Sequence, residues 1–148
     1  MKKIIIISTF IFTILLCGCN ERGILKGYTG MSGFSSESFG DYTDYSKYTY
    51  NESGEKRFEE SELYSEVTSE DIENIKSYFD NFRKWAEAID RLDDFDFDNS
   101  LITEGDFFFI ETKEGEKISD TVYEKFDNYS VYLYDSETDI LFYIHNNL

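Results

Sequence analysis

Residues 69–92, SEDIENIKSYFDNFRKWAEAIDRL, decide how the rest of the chain is read. Ile72, Ile75, Phe79, Phe82, Ala86 and Ile89 recur at alternating steps of three and four residues, which places them on one stripe of a helix. Thr68 is suited to cap that helix. Asp71 sits three residues on, as in a capping box, and Val67 and Ile72 take the flanking staple positions. Glu70, Asp71 and Glu73 lie where the helix dipole favours negative charge, and Arg91 lies near the other end. The spacing predicts a helix to about Leu92 with its stripe facing a core.

Downstream, four segments read as strands: 106–112 (DFFFIET), 117–123, 129–134 (YSVYLY) and 140–145 (ILFYIH). Residues 113–116 and 135–139 read as hairpin connections. Tyr129, Val131 and Leu133 alternate with Ser130, Tyr132 and Tyr134, so one face should meet the helix. The expected fold class is α+β, one long amphipathic helix packed on a three- to four-stranded antiparallel meander. One helix cannot cover four strands completely. The far face, with Tyr132 and Tyr134, is left either exposed or covered by residues 41–66.

Upstream, residues 20–40 hold five of the nine glycines and many serines and read as a flexible tether. About 20 such residues have a root-mean-square span of roughly 25 Å. Residues 41–66 allow two readings: an edge strand carrying Tyr42, Tyr45, Tyr48 and Tyr50, followed by a turn at 51–54, or a tyrosine-rich continuation of the tether.

The first residues concern address. Lys2 and Lys3 precede an apolar run from 4 to 16, which is too short for the roughly 30 Å of a bilayer core. Small residues follow, as in a secretory signal peptide. Leu16-Cys17-Gly18-Cys19 resembles the lipobox of bacterial lipoproteins, with Leu16, Gly18 and Cys19 in the matching places. The resemblance covers about the first 20 residues. It implies removal of 1–18 as signal peptide and a diacylglyceryl group on Cys19, with 19–40 as lipidated tether and 41–148 as the α+β domain. Localisation would be the cell membrane, lipid-anchored on the extracytoplasmic face, because acyl chains bury about 0.8 kcal/mol per methylene. Lipid on Cys19 leaves the mature chain no thiol for a disulfide, a nucleophile or a metal.

The chain has 148 residues, 14 Lys+Arg against 31 Asp+Glu, a formal charge of −17 and no proline. That length allows one domain. Removing 1–18 takes away two lysines and no acid, so the mature chain is more acidic still. Such acidity argues against a nucleic-acid partner, which needs Lys and Arg against phosphates. Aromatic content of 18% argues against a wholly disordered chain. Residues 58–75 and 87–106 are the acid-rich stretches, suited to solvated faces or to steering a basic partner.

Chemistry has few candidates. Asp94, Asp96 and Asp98 give Asp-x-Asp-x-Asp followed by Asn99, which resembles the opening of an EF-hand calcium loop. The closing glutamate is out of register: position 12 is Gly105, with Glu104 one residue early. Ca²⁺ held by Asp94, Asp96, Asp98 and Glu104 is therefore one expectation. Aspartates facing water while Phe95 and Phe97 anchor a turn is the other. His145, the single histidine, shares a strand face with Leu141 and Tyr143 and reads as a surface or edge-strand residue. No Gly-x-Ser-x-Gly elbow or His-Glu-x-x-His pair accompanies it. With 31 acids, pairs suited to glycoside hydrolysis are too easily found to be informative. The leading functional expectation is a non-catalytic, lipid-anchored binding module for a basic protein or a cell-wall component, an immunity or inhibitor protein being one form. A calcium-dependent domain is the alternative, and a carboxylate-based hydrolase a more distant one.

Overall fold

The computed structural model describes residues 22–38 and 41–147. The stretch read as signal peptide and lipobox, Cys19 included, lies outside the described residues. In chain order the elements are β1 (Gly30–Ser38), β2 (Asp41–Thr49), α1 (Gly54–Glu59), β3 (Ser65–Glu66) and α2 (Ile72–Ala88), then β4 (Phe107–Thr112), β5 (Lys117–Ile118), β6 (Thr121–Val122), β7 (Asn128–Asp135) and β8 (Ile140–Asn147).

The fold corrects the expected class. Six strands form one antiparallel sheet in the order β1-β2-β8-β7-β4-β3, and β5-β6 make a separate small hairpin. The described residues are predominantly β, with one 17-residue helix among them laid on the sheet. This is not a long helix on a three- to four-stranded meander. The surplus strands come from residues read as tether or left ambiguous. β1 is glycine- and serine-rich, which hides it from any propensity scale. β2 shows no simple alternation because both its faces are buried: Tyr45 packs under α2, while Tyr48 packs on the opposite face. Residues 117–123 form the β5-β6 hairpin and not one strand.

α2 forms where the stripe placed it, with a turn trimmed from each end. Ile75, Phe79, Phe82 and Ala86 are buried, joined by Tyr78. Before the first helical turn, Thr68 N–H and Oγ1 both donate to Asp71 Oδ2, at 3.0 and 2.6 Å, the acid's half of a capping box. At the other end Arg91 N–H reaches Ala86 O at 2.7 Å and Asp90 N–H reaches Glu87 O at 3.1 Å. This is a Schellman closure, and it needs the left-handed φ of +58° found at Asp90. Glycine adopts that conformation without the Cβ clash. Asp90→Gly is expected to stabilise the fold by about 0.5–1 kcal/mol, read as a higher urea midpoint at unchanged slope.

The sheet carries a core on each side. Under α2, Tyr129, Val131, Leu133, Phe142 and Ile144 meet Phe79, Phe82, Phe95 and Phe97. On the opposite face Tyr132 and Tyr134 are covered, by α1 and by residues 23–29. Phe58 of α1 stacks on Tyr134 with centroids 4.0 Å apart, and Tyr50 and Tyr64 meet Phe58 edge-on at 5.0 and 4.9 Å.

The segment expected to swing as a tether is docked from Gly23 onward. A Cβ on Gly23 would lie 2.5 Å from the Tyr132 ring, so only glycine permits this approach. Tyr64 Oη donates to Gly23 O, Tyr50 Oη to Leu25 O at 2.6 Å, and Arg57 Nη1 to Lys26 O at 2.5 Å. Thr29 N–H then joins Thr49 O at 2.7 Å, where the chain turns into β1.

Candidate functional site

The aspartate segment crosses the α2 side of the sheet beside β2. Phe95 and Phe97 are buried, and Phe97 stacks on Phe79 at 3.9 Å between centroids. Arg83 of α2 fastens the segment: its Nη2 donates to Phe97 O at 2.6 Å and its guanidinium lies 4.9 Å from the Phe95 centroid. With the phenylalanines held inward, the alternating aspartates face out.

Each aspartate has its own task. Asp94 pairs with Arg91 at 2.9 Å. Asp96 accepts from Tyr45 Oη at 2.7 Å and from Lys47 Nζ. Asp98 accepts from Ser100 N–H at 2.8 Å and caps a short 3₁₀ turn, Asn99–Leu101. Asn99 Nδ2 donates to Asp80 on α2 at 2.7 Å. Glu104 is exposed in the turn before β4. Among the described residues no group of three or more His, Cys, Asp or Glu side chains is placed to hold a metal ion.

The electrostatics follow from those partners. Burial by itself would raise the Asp96 carboxyl, but the hydrogen bonds from Lys47 and Tyr45 outweigh it and hold the pKa below the ordinary value. The Ser100 hydrogen bonds lower Asp98 in the same direction. Burial, followed by the bond to Asp96, pushes the Tyr45 phenol far up, so it stays a neutral donor. Beside these groups lies a cleft of about 260 Å³, lined by Phe34, Tyr45, Lys47, Arg91, Asp94 and Asp96 together with Ser32 and Gly33 of β1. It is a mixed-charge hollow at the sheet edge.

A second arrangement was not visible before the strands were in register. Asp44, His145, Ser130 and Glu111 are successive partners across β2, β8, β7 and β4. Ser130 Oγ lies 2.9 Å from His145 Nδ1, and the imidazole stacks parallel to Tyr143 with centroids 6.5 Å apart. Alternation correctly put His145 on the face of Leu141 and Tyr143, but β8 is a central strand and not an edge. Serine, histidine and aspartate thus share a row. The strands under them are paired on both sides, so their amide N–H groups are committed to the ladder and none is left to hold an oxyanion. Acyl-transfer chemistry has no support from that geometry.

Burial lowers the His145 pKa below its usual 6.5, and Asp44 opposes the shift. The folded chain therefore favours neutral imidazole, while the unfolded chain takes up the proton from about pH 6.5 downward. The unfolded state binds more protons there, so this contribution to stability falls as pH drops below that point. The urea midpoint is expected to decline from about pH 7 to about pH 5 more steeply in the wild type than in His145→Gln. Parallel curves would remove the histidine as a cause.

Compared with protein-family models, with curated proteins and with solved structures, the chain matches none. The class defined by the fold and its surface is accordingly a small aromatic-cored β protein with an acidic exterior.

Proposed function

We propose that this protein is an exported, lipid-anchored binding module that uses its acidic exterior to take a basic protein partner, with protection against a basic toxin as one form. The observation that carries the reading is how the acids are displayed. The chain has 31 acids, yet the ion pairs among the described residues number five, at Glu111, Asp96, Glu60, Glu73 and Asp94. Acids such as Glu62, Glu66, Glu70, Glu87, Asp93 and Glu104 stand exposed with no ion-pair partner among them. Uncompensated surface charge of one sign steers a partner of the other sign and speeds encounter. Lipid on Cys19 makes the membrane connection, and what supports it is the lipobox resemblance at Leu16-Cys17-Gly18-Cys19.

Two experiments test this reading. Immobilised chain, challenged with basic proteins from wall and membrane extracts, should retain a partner at about 0.05 M salt and release it near 0.5 M. Retention indifferent to salt, or of acidic proteins only, refutes the basic-partner reading. Cys19→Ser should move the protein from the membrane fraction to the soluble one. A Cys19→Ser chain still processed and membrane-held refutes the anchor.

A further inference from the structure

We propose that the anchored chain lies flat on the membrane, with the side opposite α2, where α1 and residues 23–29 cover the sheet, toward the lipid headgroups. This rests on lipidation of Cys19, and its ground is where the fold starts. Gly23 is already buried against Tyr132. Four residue steps separate it from Cys19, and at about 3.6 Å per step the leash reaches no more than about 14 Å. The 25 Å reach expected of a free tether is gone. The first described residue, Arg22, donates to Glu111 on β4 at 3.2 Å, so the chain leaves the body over the face opposite α2. Presenting the outer side of α2 to the bilayer would take the leash through the thickness of sheet and helix, about 20 Å. The leash is too short for that.

The side chains left uncovered agree independently. Met31 is 58% exposed, Tyr28 43% and Tyr42 41%, and all three lie on this face. Met31 and Tyr42 are placed there by their register on β1 and β2, and Tyr28 by its edge-on contact with Tyr48 at 5.0 Å. Leu92, 38% exposed, is their counterpart beside α2, and Ile118 and Val122 on the β5-β6 hairpin count with neither face. Tyrosine is well suited to the headgroup zone, with an apolar ring and a wet hydroxyl. This placement turns α2, the 93–98 segment and its cleft outward, toward a partner.

The test uses the processed, acylated chain reconstituted in vesicles of phosphatidylglycerol and phosphatidylethanolamine that carry a headgroup-linked nitroxide quencher. Lipid occupies Cys19 and Cys17 departs with the signal peptide, so an introduced cysteine is the only thiol. A fluorophore at Met31→Cys should be quenched several-fold more than one at Lys84→Cys, an exposed position on α2. Tyr28→Cys against Glu87→Cys repeats the comparison in case one variant folds poorly. Equal quenching, or more on α2, overturns the orientation while the lipoprotein reading stands, and leaves the face to a protein partner. A chain without an acyl group that fails to float with vesicles overturns both.

Discussion

Replacing Gly33 with valine is expected to strip β1 from the sheet. Gly33 has φ +153° and lies opposite Ser46 in the β1–β2 ladder. A Cβ there would sit 2.0 Å from Tyr45 O and 2.7 Å from Ser46 Cα, both backbone atoms. Backbone in a ladder cannot step aside without breaking its hydrogen bonds, so the strand must move. Phe34, 5.9 Å from the Tyr45 ring and 6.3 Å from Phe82, would leave with it and open the core beneath. The expected loss is on the order of 3 kcal/mol. Hydrogen exchange should find β1 amides unprotected while β7 and β8 keep their protection. Unchanged protection over β1 would refute the argument.

Phe82→Ala should cost more. The ring is fully buried and touches Tyr45 of β2 and Phe95 of the aspartate segment, with centroids 6.4 and 5.1 Å away. Emptying such a site costs about 3–5 kcal/mol, because the walls close only partly. Small domains hold roughly 5–15 kcal/mol in all, so the variant should be partly unfolded at room temperature or melt far lower. Lys84→Ala, two residues on and exposed, should leave the urea midpoint within about 0.5 kcal/mol of wild type. A Phe82→Ala loss under about 1 kcal/mol would mean the loop repacks to fill the gap.

The sequence was most informative where one face of an element meets water. α2 was legible because its burial follows a single period, whereas β7 is buried on both faces and was legible by its aromatic and β-branched run ending at the 135–139 turn. β2 stood as one of two readings, since its tyrosines are interrupted by Thr43, Asp44, Ser46 and Lys47, and Tyr45 and Tyr48 are buried on opposite faces. β1 was hidden by composition: Gly33 is there because a backbone passes close, a reason invisible until the partner strand is known. The aspartates were found, but not their partners. Arg91 is local and could be guessed from spacing, whereas Lys47 and Tyr45 lie about fifty residues upstream of Asp96. The same distance in sequence concealed the row of Asp44, His145 and Ser130.

The order of the strands also bears on how the chain comes to be folded. β2 pairs with β8, joining residues near 45 to residues near 144, and β8 is the last element made. Until it arrives, β2 and β7 lack their common neighbour and the sheet exists only as two separate halves. A chain emerging N-terminus first from a ribosome therefore cannot complete its sheet before residues 140–147 are free. Contacts this far apart in sequence form slowly. The two halves of the sheet thus depend on one shared strand, and β8 is the element whose absence would leave them apart.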